Sequence, residues 1–156
     1  MRHDTHRPVL LPETLAALDP RPGDVVVDAT VGRGGHATAI AARLAPGGRL
    51  IGLDLDPASL EAARAALSAT GVEFSLHHSN FAALPSVLAA AGVERVDALL
   101  ADLGVSSPQI DDPARGFSYR WPGPLDMRMD PTRGATAADL LARLDQQELA
   151  RALHEL

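Results

Sequence analysis

Three carboxylates and a cluster of glycines are the residues of this chain with the types and spacing to do chemistry. The segment Asp28-Ala-Thr-Val-Gly32-Arg-Gly34-Gly35-His36 sets an acid just ahead of closely spaced glycines. Glycine tolerates positive φ and lets a backbone approach a ligand closely. Gly32-x-Gly34-x-x-Ala37 satisfies the G-x-G-x-x-G/A pattern of dinucleotide sites. Asp54 follows Gly32 by 22 positions, where an acid accepts hydrogen bonds from ribose hydroxyls. Asp102 is a third acid of the same kind. Together they point to an adenosine-containing ligand; the alternative is a tight turn followed by a capping aspartate.

These groups need a scaffold, and the chain supplies strand-like and helix-like segments in alternation. The run Val25-Val26-Val27 follows the turn signal Arg21-Pro22-Gly23-Asp24 and predicts a strand over 25–30. Residues 36–45 read as a helix stopped by Pro46-Gly47-Gly48, and Leu50 to Leu53 as a short buried strand. Asp56 and Pro57 open a helix as N-cap and first helical residue. A strand over 72–77, a helix over 82–91 and a strand over 96–101 follow. Alternation of this kind specifies an α/β fold with a parallel sheet covered on both faces, here in the order 3-2-1-4 with an apolar fourth strand at one edge. Asp28, inside the first strand just before the glycines, then shares one rim with Asp54 and Asp102, which end the second and fourth strands, and that rim is where open α/β sheets bind ligands.

Beyond residue 102 the pattern changes. Residues 103–134 are rich in Gly, Pro and Ser and too long for an ordinary connection, which marks a functional loop. Phe117, Tyr119 and Trp121 sit there within five residues, interleaved with Arg115, Arg120, Arg128 and Arg133. Helical periodicity resumes with two capping-box openings, Thr136 to Asp139 and Asp145 to Glu148. The expected division is a core over 1–134 and the start of a helical domain over 135–156.

Composition narrows the class. All 14 basic residues are arginine, set against 20 acids for a formal charge of −6. That balance opposes a protein that simply coats nucleic acid. With no cysteine there is no disulfide framework and no thiolate metal site. His3, His6, His77, His78 and His154 show no metal-ligand spacing, so no metal is expected. No apolar run is long enough to span a bilayer and no secretory signal is read at the N-terminus, so the expected location is cytoplasmic.

The identity of the adenosine ligand turns on charge. A dinucleotide lays an anionic pyrophosphate on the first helix, whereas S-adenosylmethionine carries an ammonium and a sulfonium. Three rim acids favour the cationic methyl donor. Asp28 has two readings here, as a partner for that cargo or as a structural pin for the glycine loop.

Four segments carry a specific likeness: His6 to Glu13, Asp28 to His36, Asp102-Leu-Gly-Val-Ser-Ser-Pro-Gln109, and Gly123-Pro-Leu-Asp-Met-Arg-Met-Asp-Pro-Thr-Arg-Gly134. In them the chain resembles the bacterial 16S ribosomal RNA (cytosine-N4) methyltransferases, the RsmH or MraW family, from His6 to its last residue. The resemblance implies a Rossmann-like class I S-adenosylmethionine-dependent methyltransferase fold. It further implies that Gly34, Gly35, His36, Asp54, Phe81, Asp102 and Gln109 bind that cofactor. The partner it implies is 16S rRNA in the small (30S) ribosomal subunit, not DNA and not a membrane.

Methyl transfer to an amine requires the nitrogen, methyl and sulfur in line. An acceptor on the cytosine amine, from Asp102 or a carbonyl of Leu103 to Ser107, would favour the nucleophilic form of that nitrogen. The segment Arg115 to Trp121 has two readings, as an RNA-facing loop that receives an unstacked base or as aromatics folded inward to serve as core. The second terminal helix runs to Leu156 without a stop signal. With family members about twice this length, the expectation is a cofactor-site half that does not turn over alone. Two rival classes remain, a cofactor-binding module without turnover and a nicotinamide-dependent oxidoreductase.

Overall fold

The computed structural model describes residues 8–155; the readings that fall on His3, His6 and Leu156 lie outside the described residues. Runs of aliphatic residues pair into one parallel sheet. Its strands are β1 (Val25–Asp28), β2 (Arg49–Asp54), β3 (Glu73–His78) and β4 (Ala98–Leu100), in the order β3-β2-β1-β4. Val27 lies level with Ile51 on one side and Leu99 on the other, and Asp28 level with Gly52 and Leu100. The expected order is therefore the observed one, with β4 on an edge.

Side chains alternate across the strands, so each face builds its own core. Val26 and Leu50 face α2 (Gly35–Leu44) and α3 (Pro57–Ser68), whose Ile40, Leu44, Ala63 and Leu67 are fully buried. Val27, Ile51 and Leu53 point the other way, toward Leu84, Val87 and Leu88 of α4 (Leu84–Ala90). Leu99 is 46% exposed, because β4 has a neighbour on one side only. Helix α1 (Leu11–Leu18) was not expected from the sequence: its N-cap, Leu10, offers no capping side chain, and it docks by burying Leu15.

The predicted helix starts are built as drawn. The Asp56 carboxylate accepts the Ala58 N–H at 3.0 Å. Thr136 and Asp139 cap α6 (Ala137–Arg143) reciprocally, the Thr136 Oγ1 accepting the Asp139 N–H at 3.0 Å and the Asp139 carboxylate accepting the Thr136 N–H at 2.9 Å. Asp145 and Glu148 do the same at 2.8 and 2.9 Å for α7 (Gln146–Glu155).

The chain divides after Leu103 into two compact units. The second contains α5 (Ser107–Asp111), a 3-10 turn (Pro113–Arg115), α6 and α7. Among its described residues only Gln109 and Asp130 are buried. Polar contacts hold it instead. Asp126 is paired with Arg128 at 2.7 Å and Asp130 with Arg133 at 2.5 Å, while Arg115 donates to the carbonyls of Arg128 and Met129 at 3.0 and 2.9 Å. Met127, between the fixed Asp126 and Arg128, adopts φ +60°.

Candidate functional site

Parallel pairing in register brings the ends of β1, β2 and β4 to one rim of the first unit, and the three predicted acids stand there. Asp28 closes β1 and is 1% exposed. Burial pushes its carboxyl up to about 7, and the charges of Asp54 and Asp102 push the same way against a hydrogen bond from Thr30. That bond is the Thr30 N–H donated to Oδ1 at 3.1 Å.

Asp54 closes β2 and is the residue that pins the glycine loop. One carboxylate oxygen accepts the Gly32 N–H at 2.7 Å and the other the Asp56 N–H at 2.9 Å. A carboxylate offers about four acceptor positions, so each oxygen keeps one for a further donor. The loop is also held by the strands themselves, Val31 donating to the Leu53 carbonyl and Ala29 to that of Leu100, both at 2.9 Å.

Gly34 caps α2 at φ +87°, and a Cβ there would stand 3.1 Å from the Ala63 Cα. It serves the packing of α2 on α3 as much as any approach to a ligand. Gly35 begins α2, and a Cβ on it would meet Pro8 at 2.6 Å. The main-chain N–H groups of this first turn lack helical partners by construction.

The His36 ring is committed elsewhere. Its Nε2 lies 3.0 Å from the Val9 carbonyl and so carries a proton, and its Nδ1 lies 3.8 Å from the Asp102 carboxylate. With the side chain only 10% exposed, what His36 presents at the rim is its backbone. Asp102 itself keeps a 58% exposed side chain. Phe81 follows β3, opening a 3-10 turn (Phe81–Ala83) capped by Asn80, and its ring is 49% exposed.

Thr30 is the connection that sequence reasoning missed. Besides donating to Asp28, its Oγ1 accepts the Asp102 N–H at 2.7 Å, tying the end of β4 to the end of β1. A signal existed in the spacing, since an aspartate two residues before a backbone N–H is an Asx turn.

Gln109 belongs to the second unit. Its side-chain carbonyl accepts the Ser106 N–H at 2.9 Å in the box that opens α5. In the same unit Tyr119 is 96% and Trp121 57% exposed, so neither serves as core, while Phe117 is half-buried 5.7 Å below the Arg115 guanidinium. Of the four arginines there, Arg115, Arg128 and Arg133 are bound into the polar framework.

No helix among the described residues is long and apolar enough to cross a membrane. The model of the MraW methylase family matches residues 3–156. A ribosomal RNA small subunit methyltransferase H of Burkholderia vietnamiensis is 56% identical over 150 residues, 96% of this chain and 47% of that protein. Its counterpart in Burkholderia mallei is 55% identical over the same shares. The chain thus spans about half the length of the curated relatives it matches. Among solved structures, a SAM-dependent O-methyltransferase of Thermotoga maritima superposes over 65% of this chain and 36% of its own, at 21% identity and a TM-score of 0.48. With a family model covering nearly every residue and relatives matching more than half of them identically, this chain belongs to the MraW methylase family.

Proposed function

We propose that the first unit binds S-adenosylmethionine at the rim formed by Asp28, Asp54, Asp102 and the Gly32–Gly35 loop, for methyl transfer to the N4 amine of a cytidine in 16S rRNA of the small (30S) ribosomal subunit. The observation that carries the reading is the convergence of three carboxylates on one rim, one of them buried at the root of the glycine loop. Family membership and the names of the relatives support the substrate. A ribosomal substrate places the work in the cytoplasm.

The donor set fits the cofactor. Asp54 has acceptor positions left for ribose hydroxyls, and the exposed Phe81 ring is a flat apolar surface for adenine. The first turn of α2, at Gly35 and His36, offers N–H groups for the carboxylate end. Asp28 and Asp102 supply negative charge for the ammonium and sulfonium. A nicotinamide dinucleotide fits poorly, because its pyrophosphate would stand against the buried Asp28. Gln109 is linked to cofactor binding by resemblance alone; its side-chain carbonyl builds the start of α5.

When bound, the cofactor supplies an electrophilic methyl group on sulfur. The exposed Asp102 carboxylate accepts a hydrogen bond from the cytosine N4 amine and draws its lone pair out of conjugation. Thr30 holds Asp102 in place through its backbone N–H.

Calorimetric titration with S-adenosylmethionine and, separately, with NADH tests the cofactor. The expected result is saturable binding of the first and none of the second; the reverse overturns the reading. Incubation with labelled methyl donor and 30S subunits tests the reaction. Label in a cytidine of 16S rRNA is expected from a full-length relative, and Asp102→Ala is expected to weaken cofactor binding and, at saturating cofactor, still to lower the label.

A further inference from the structure

The second unit holds a feature that cofactor binding does not use. Residues 117–121 form an exposed ridge that lines two open grooves, of about 340 and 270 Å³, and Phe117, Tyr119 and Trp121 line both. One groove is completed by Asp111 and Arg120, the other by Leu125 and Met127.

The base of the ridge is fixed and its crest is bare. Arg115 sits over Phe117 and is bonded to the carbonyls of Arg128 and Met129. The Met127 N–H returns to the Arg115 carbonyl at 3.0 Å. At the crest Tyr119 is 96% and Trp121 57% exposed. The Arg120 guanidinium beside them makes no hydrogen bond or ion pair among the described residues, unlike Arg115, Arg128 and Arg133. Aromatic faces on a rigid mount with a free guanidinium between them match the flat bases and intervening phosphate of a single strand.

We propose that this ridge is a docking site for two successive unpaired nucleotides of the RNA substrate, one base stacked in each groove on Tyr119 and Trp121, with Arg120 on the phosphate between them. This rests on the RNA reading given above. The charge pattern selects the occupant: an apolar protein segment would bury the Arg120 guanidinium without a partner, whereas a phosphate pairs it. Asp111 accepts a hydrogen bond from an exocyclic amine, so its groove takes cytosine in preference to uracil.

Trp121 is the only tryptophan in the chain, so its fluorescence reads the site directly. The test titrates the 156-residue chain with a short oligocytidine, an oligouridine and an RNA duplex of the same length, following Trp121 emission and fluorescence anisotropy of labelled RNA. Expected are quenching and binding by oligocytidine, weaker binding of oligouridine and weakest of duplex. Tyr119→Ala should weaken oligocytidine about tenfold or more with S-adenosylmethionine binding and thermal unfolding unchanged. Arg120→Gln should lower the log–log salt dependence by about 0.7. Oligocytidine binding that neither variant alters overturns the proposal. So does a wild-type chain that leaves Trp121 unquenched by RNA, or a ridge covered by protein, seen as self-association lost in Tyr119→Ala. In those cases cofactor titration and labelling of 30S subunits still decide the function separately.

Discussion

The two units of this chain are held together by opposite means. In the first, Val26, Val27, Leu50, Ile51 and Leu53 are wholly buried, and the sheet is sealed on both faces by aliphatic side chains. In the second, the only buried described residues are polar, and arginine-to-carboxylate and arginine-to-carbonyl bonds fix the shape. Apolar burial is indifferent to pH and strengthened by excluded salts, whereas partly exposed ion pairs are screened and titrate. A rim that must hold three like charges is therefore built on a core that does not depend on charge. Around the ridge proposed to meet RNA, Arg115, Arg128 and Arg133 are already committed within the unit, and Arg120 is not.

The comparison can be broken most sharply in the core. Leu50→Ala removes a fully buried side chain and should cost about 2–5 kcal/mol. Hydrogen exchange should show protection lost across β1–β3 and kept in residues 104–155; loss in both would mean that the units unfold as one.

Asp28→Asn comes next. Because the folded carboxyl is raised to about 7, its stability contribution is fully present below the ordinary value of 3.8 and is lost as pH rises from there through about 7. The amide keeps the acceptor for Thr30 without the charge, so the variant should gain at most about 4 kcal/mol at pH 8. Urea unfolding from pH 4 to 8 should slope downward in the wild type and flatten in the variant. The same substitution should weaken S-adenosylmethionine, and wild-type affinity should rise with pH as Asp28 ionises toward its cationic partner. Equal slopes in both proteins would remove Asp28 from this role.

A smaller effect is expected in the second unit. Asp130→Asn loosens the buried acceptor of the Thr132 N–H and the Arg133 guanidinium and should cost about 1–3 kcal/mol locally, read as hydrogen exchange confined to 104–155. Smallest is the acid response of Asp126. Its hydrogen bonds from the Arg128 side chain and backbone hold the carboxyl down at about 2, so its contribution is present above the ordinary 3.8 and lost as pH falls through 2. Trp121 emission should therefore change in acid, over a range where the Asp28 contribution to the first unit is fully present.

How much the sequence revealed follows the same divide. Strand order, the Asp56 cap and both capping boxes were legible, because periodicity and cap chemistry are local and the apolar core obeys them. Helix α1 was not, since Leu10 in a left-handed conformation carries no cap signature. The rim acids were legible by spacing, but the division of labour among them was not. Which of Asp28 and Asp54 pins Gly32 depends on where a loop folds back, and the link from Thr30 to Asp102 spans 72 positions. In the second unit the crowding of aromatics was plain, yet only the fold tells the bound Arg115 from the free Arg120.

The attachment of Asp54 has a thermodynamic consequence. Two backbone N–H groups, one from the Gly32 loop and one from the turn after β2, fix both of its oxygens, so its remaining lone pairs keep one direction before any ligand arrives. Ordering a rotamer-rich side chain on binding costs about 0.5–1.5 kcal/mol, and here folding has already met that cost. The proposed ribose contact should accordingly be favoured in entropy. Lengthening the acid by one methylene, Asp54→Glu, should show as a less favourable binding entropy even where the hydrogen bonds are kept.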